Sequence, residues 1–273
     1  MSGWAAPFAA AVERIDRASF EALNGLAGRF PLLDGMFSLA LDSSAFKAGL
    51  IGACFVYAWF EGREREATVR ARRILIATLV AALAVVTMTK LLSQGVVDPR
   101  PYVKAQKVAY LEGDTLVPGR TWSYRVPLEG QGAEKVEALK GGELGEGNLG
   151  AFPSDHAAFY IAIAVGIFMA SRRAGAVALA WAVIVILGSR IVAGQHSPVQ
   201  VAAGAAIGTA VLMLVQAAAE RFGRGAFDAA AGLSLRYPGV AGAALFLAVF
   251  EIAETLEGVK QIAAFGAHAA GIA

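Results

Sequence analysis

Residues 74–97 read ILIATLVAALAVVTMTKLLSQGVV, twenty-four positions with a single charge, Lys90, toward the far end. At a rise of 1.5 Å per residue such a helix is about 36 Å long, enough to cross a hydrocarbon core of about 30 Å. The rest of the 273-residue chain has the same character. Hydrophobic residues make up 57% and charged residues 17% of it, and mean hydropathy is +0.56. A soluble domain runs at about 45–50% apolar and about 25% charged. The composition excludes a soluble protein. The net charge of +2, with no basic run interleaved with aromatics, excludes a nucleic-acid partner. Cys54 is the only cysteine, which excludes an intramolecular disulfide and a cysteine zinc site. With three histidines in the chain, no metal and no other cofactor is expected.

Uncharged stretches at 48–60, 157–171, 174–189 and 197–219 predict four more spans. A sixth is predicted at 237–250, ahead of Glu251, Glu254 and Glu257 at helical spacing. The predicted fold is all-α, a polytopic membrane bundle of five to six helices with an outer-face insert between the second and third. Residues 1–44 read as an amphipathic N-terminal segment. Glu13, Arg14, Asp16, Arg17 and Glu21 interrupt apolar residues there, as in a helix lying along a bilayer surface. Residues 45–257 are the membrane domain, with the insert at 102–151, and 258–273 are a C-terminal tail. Within the insert, 133–140 is predicted to be a short helix and the whole to act as a lid.

Basic residues set the orientation. Arg63, Arg65, Arg70, Arg72 and Arg73 precede the second span, Arg172 and Arg173 follow the third, and Arg221, Arg224 and Arg236 follow the fifth. With alternating helices all fall on one side, the cytoplasmic one. The insert and the turn at 195–198 then face outward together.

Charged groups at membrane depth are expensive and mark functional sites. Here they collect toward the outer face: Lys90, Arg100 in Asp98-Pro99-Arg100-Pro101, Pro153-Ser154-Asp155-His156, Ser189-Arg190, and His196. Cations together with Ser154 and a helix N-terminus favour a phosphate group. Two imidazoles beside it fit covalent catalysis, one attacking phosphorus and the other protonating the departing oxygen. Arginine and lysine would offset charge on the equatorial oxygens.

In order, spacing and helix placement, Lys90…Arg100-Pro101, Pro153-Ser154-Asp155-His156 and Ser189-Arg190…His196 resemble the three-part signature of the type 2 phosphatidic acid phosphatase superfamily. The resemblance covers residues from about 90 to 208. It implies a six-helix, metal-independent phosphatase acting on lipid phosphates or isoprenyl pyrophosphates through a phosphohistidine. It also implies a bacterial inner membrane location with the site on the periplasmic face. His196 would be the nucleophile and His156 the general acid. Lys90, Arg100, Ser154 and Arg190 would bind phosphoryl oxygens, and Asp155, where the family often has glycine, is grouped with them.

Two departures follow from the same comparison. Lys90 stands about one helical turn further from Arg100 than in the family pattern, with Ser93 in the lysine's usual place. Gln200 replaces the aspartate that normally orients the nucleophile. Its amide oxygen is expected to accept the Nδ1 proton of His196, with Asp155 or Asp98 as candidates to supply the missing charge. The expected function is hydrolysis of a lipid phosphomonoester or pyrophosphate, with membrane lipids around it. A weakened site would instead suit a lipid phosphotransferase, or a lipid-phosphate binding or transport protein. The topology has a direct test in a Cys54-free background. Gly145→Cys should react with an impermeant thiol reagent on whole cells and Ala67→Cys should not; the reverse pattern would invert the orientation.

Overall fold

The computed structural model describes residues 5–62, 64–105, 110–112, 115–117, 122–127, 131–142 and 146–255. Arg63, Glu257, the tail 258–273 with His268, and part of the insert, including some of its glycine-rich end, lie outside the described residues.

The chain opens with α1 (Ala5–Asn24), α2 (Pro31–Asp42), α3 (Ser44–Phe60) and the long α4 (Arg65–Gln94). The insert holds α5 (Pro101–Lys104), an antiparallel ladder of β1 (Tyr110–Glu112) and β2 (Thr115–Val117), α6 (Gln131–Lys140) and α7 (Glu146–Leu149). Then come α8 (Asp155–Ala170), α9 (Arg172–Trp181), a π-helical stretch at Ala182–Leu187, and α10 (Gly188–Val192). α11 (Pro198–Arg221), α12 (Arg224–Arg236) and α13 (Pro238–Ala253) complete the order.

Every predicted span is a helix, and the protein is a polytopic helical membrane bundle. α4, the run Arg172–Val192 and α11 are each long and apolar enough to cross a membrane. Two more crossings result if α2 with α3, and α12 with α13, are each one broken span. α8 is apolar but, at 16 residues, shorter than a full span. The fourth span, read as one continuous helix, contains the π-helical stretch directly before Gly188-Ser189-Arg190. Short π segments within α-helices are frequent at functional sites.

The chain divides into two compact units. One comprises Ser43–Thr87, Phe159–Val183 and Ile207–Ala273, in which α3 packs on α9 and α13. There Arg73 donates to Asp228 and Glu220, both at 2.8 Å. Arg72 lies over Trp59 at 5.0 Å and donates to Ser234 at 2.8 Å. Two of the arginines expected to set the orientation are therefore also tied to neighbouring helices.

The other unit comprises Met1–Asp42, Met88–Ala158 and Ile184–Ala206, and holds all three signature segments. α1 is fastened to it by Asp16, Phe20 and Asn24, spaced four apart on one helical face and all buried. Asn24 donates to the Arg125 and Val192 carbonyls at 2.9 and 2.8 Å and accepts from the Arg125 N–H at 2.6 Å. Phe20 packs against Trp122 and Tyr124 at 5.4 and 6.4 Å. Asp16 accepts from the Val199 N–H at 2.9 Å, capping the start of α11. Phe8 and Ile15 stay exposed, so α1 carries apolar residues on two faces.

Close approach of α11 to the start of α8 depends on Gly204. A Cβ there would collide with the Ser154 carbonyl oxygen and meet the Ala157 Cβ at 3.1 Å. Backbone cannot yield as a flexible side chain does. Overpacking of this kind costs about 1–3 kcal/mol, so Gly204→Val should lower the unfolding midpoint of the detergent-solubilised protein by several degrees. A wild-type midpoint would show that the two helices do not meet there.

Candidate active site

The three signature segments are joined first through backbone. The Asp98 N–H donates to the Leu149 carbonyl at 2.8 Å, the Arg100 N–H to Asn148 at 3.0 Å, and the Ala151 N–H to Asp98 at 3.0 Å. The segment leading to Arg100 thus lies alongside the one leading to Ser154. The third segment turns at Gly194, whose φ of +68° suits glycine. There the Gln195 and His196 N–H groups both reach the Arg190 carbonyl, at 2.9 and 3.2 Å.

His196 is 2% exposed. Its Nδ1 lies 3.2 Å from the Ala151 carbonyl oxygen, which only accepts, so Nδ1 carries the proton. Nε2 lies 3.4 Å from Arg100 Nη1, a donor, so Nε2 presents its lone pair. Burial, then the Arg100 charge, holds the ring's pKa well below the usual histidine range, against the opposing pull of Asp155. The ring is neutral in the tautomer a nucleophile needs.

Gln195, fully buried, was not singled out in the sequence. Its carbonyl accepts from Arg100 at 2.8 Å and its side-chain oxygen from Arg190 at 2.7 Å. One residue therefore fixes both guanidinium groups next to His196.

His156 Nδ1 lies 2.8 Å from Asp155 Oδ1, which also accepts the His156 N–H at 2.7 Å. Asp155, expected among the phosphate-binding residues, is the hydrogen-bond partner of the second imidazole, a contact suited to a carboxylate, which accepts from a ring N–H. Ser154 is the N-cap of α8, its Oγ accepting from the Ala157 N–H at 3.4 Å. Ser154 and Asp155 together take up N–H groups of the first turn that were expected to meet phosphate.

Gln200 departs most from the sequence expectation. Its Oε1 accepts from the Ser197 N–H at 2.9 Å, and its Nε2 donates to Asp98 Oδ2 at 2.8 Å and more weakly to the Pro99 carbonyl at 3.4 Å. It makes no hydrogen bond to His196; the Ala151 carbonyl has that place. Gln200 ties the first segment to the turn of the third, while Lys104 holds the other oxygen of Asp98 at 2.6 Å. Lys90 is exposed on α4, with no side-chain hydrogen bond or ion pair among the described residues. No group of three or more His, Cys, Asp or Glu among the described residues is arranged to hold a metal ion.

A family model described as the PAP2 superfamily matches residues 71–224, more than half of the chain. The chain belongs to the PAP2 superfamily. Its members are generally phosphatases, and with several apolar helices of spanning length the protein is, at that level, a membrane phosphatase. No curated protein and no solved structure matches it.

The Gln200 contacts give a sharp expectation for Gln200→Glu. A second carboxylate would face Asp98 Oδ2 across 2.8 Å, and like charges raise a carboxyl pKa. The penalty is present at high pH and relieved as pH falls and the pair shares a proton. The variant's unfolding midpoint should lie well below wild type at pH 7.5 and close toward it at pH 5. A gap independent of pH would place the two side chains apart.

Proposed function

We propose that the protein hydrolyses a lipid phosphomonoester or pyrophosphate, an isoprenyl pyrophosphate foremost, through a phosphohistidine on His196. The reading rests above all on the buried His196 ring, with Nδ1–H on the Ala151 carbonyl and the Nε2 lone pair toward Arg100. A phosphoryl group drawn to Arg100 and Arg190 takes the guanidinium donors onto its own oxygens and brings phosphorus to Nε2. The N–P bond forms as the bond from phosphorus to the bridging oxygen breaks. Protonated His156, braced by Asp155, gives its Nε2 proton to the departing lipid oxygen or lipid phosphate. His156, now neutral, takes a proton from water as that water attacks phosphorus. The N–P bond then breaks, inorganic phosphate leaves, and both rings are restored. The residues that act are His196, His156, Arg100 and Arg190; Ser154, Asp155 and Gln200 position them.

The alternatives of phosphotransfer and of binding without turnover rested on Gln200 as a weak orienting group. The Ala151 carbonyl supplies the orientation, which favours hydrolysis. The basic connections, expected on the cytoplasmic side, favour a substrate in the outer leaflet, on the periplasmic face of a bacterial inner membrane.

Purified protein in EDTA, given a panel of lipid phosphates, tests the reading. His196→Ala should lose turnover of every substrate. His156→Ala should lose the lipid phosphate by ~10²-fold or more yet retain the initial burst of nitrophenol from a nitrophenyl ester, whose leaving group needs no proton, before slow hydrolysis of the phosphoenzyme limits turnover. Equal loss of both would remove His156 as the acid. Because the His196 pKa is lowered, the neutral form persists below pH 6.5. The acid limb of kcat/KM should therefore fall below that value, and a limb at or above pH 7 would contradict a neutral buried nucleophile.

A further inference from the structure

We propose that Lys135, carried on α6 of the insert, is the third phosphate-binding cation of this site, beside Arg100 and Arg190. The proposal rests on the phosphatase reading above.

α6 is seated directly on the first signature segment. Its buried Val136 and Leu139 form one core cluster with Tyr102 and Val103, which follow Arg100 by two and three residues. The far end of the insert is tied to the same place, with the Tyr102 hydroxyl donating to Asn148 Oδ1 at 2.6 Å and the Arg100 N–H to the Asn148 carbonyl at 3.0 Å. This fixes Lys135, the residue before Val136, half-buried in the field of both Arg100 and Arg190. Asp42 of α2, the helix on which α6 also packs, is the acidic group that acts on it. Lys135 has no hydrogen bond or ion pair among the described residues. Burial first, and then the two guanidinium charges, lower its pKa to about 8.

A half-buried ammonium beside two like charges is unfavourable unless something anionic joins it. A phosphate group reverses the sign of that interaction for all three cations at once. Lys90, by contrast, is exposed on α4. A lysine on the insert also gives that segment a chemical task, since it completes the cation set only when α6 is docked.

The test uses the full-length protein in detergent with EDTA and compares Lys135→Ala, Lys135→Gln and Lys135→Arg. Lys140→Ala is the control, an exposed lysine on the same helix paired with Glu137 at 2.6 Å. The readouts are the inhibition constant of inorganic phosphate, kcat and KM for a lipid phosphate, and the unfolding midpoint. Lys135→Ala and Lys135→Gln should raise both the inhibition constant and KM by ~10-fold or more, the worth of a charge-assisted hydrogen bond. Lys135→Arg should keep most of the affinity, Lys140→Ala should stay within about twofold, and midpoints should be near wild type. Lys135→Ala within twofold of wild type, with Lys90→Ala producing the loss, would overturn the proposal.

Phosphate contact is also read without turnover, from the pH titration of ¹³C-dimethylated Lys135 with and without inorganic phosphate. An upward shift with phosphate supports the lysine's role even if no lipid phosphate is hydrolysed, and then only the enzymatic reading fails. Active protein in which phosphate leaves the Lys135 titration unchanged sinks the lysine's role and spares the enzymatic reading.

Discussion

One hydrogen bond organises the site, from His196 Nδ1 to the Ala151 carbonyl. It chooses the tautomer, leaves the lone pair on Nε2, and does so in a buried pocket where a misplaced ring proton would go unpaired. Much of the surrounding unit fixes its two ends. Ala151 is held by Asp98, and the Asp98 side chain is shared between Lys104 and Gln200. Gln200 in turn holds the Ser197 N–H, next to His196 itself. The three signature segments, distant in sequence, form one hydrogen-bonded frame in which His196 is the last member.

That frame explains how a glutamine sits where relatives of the signature carry an aspartate. A carboxylate on Nδ1 orients the ring and also offsets the charge it gains on bonding to phosphorus. A backbone carbonyl orients equally well but carries only a dipole. In a serine-protease triad, replacing the carboxylate by an amide costs about 10⁴-fold, largely because the wrong tautomer results. On the proposed mechanism the tautomer is right without a carboxylate, so most of that loss would not apply. Asp155 is the acid whose charge His196 feels, and it is bonded to His156. One carboxylate thus braces His156 and acts on His196 from a distance.

The bundle was legible because long uncharged, apolar runs are stable in few places outside a bilayer. The pair of histidines and Arg100, Ser154 and Arg190 were legible as a set, since cations and imidazoles at membrane depth are costly without a task. Other features carried little or no signature. A backbone carbonyl looks the same at every position, so Ala151 was invisible and its role fell to Gln200, the nearest polar side chain in sequence. Asp155 was grouped with the phosphate ligands because its neighbours were, although its charge argued otherwise. Gln195 hides beside a histidine that draws the attention. The docked face of α1 was written at four-residue spacing in Asp16, Phe20 and Asn24, but the charges around them read equally well as a bilayer surface. The insert mixes both charge signs without a pattern, so no spacing singled out Lys135.

The central claim is that neutral His196 attacks phosphorus through Nε2 because Nδ1 is bound to Ala151. It is tested most directly by mixing the protein with labelled lipid phosphate, denaturing within milliseconds at alkaline pH, and locating the phosphoryl group on the peptide that contains position 196. The account predicts acid-labile, base-stable phosphate on Nε2 of His196, absent from His196→Ala and accumulating in His156→Ala with the nitrophenyl ester. Phosphate on Nδ1, on another residue, or nowhere while turnover continues would contradict it.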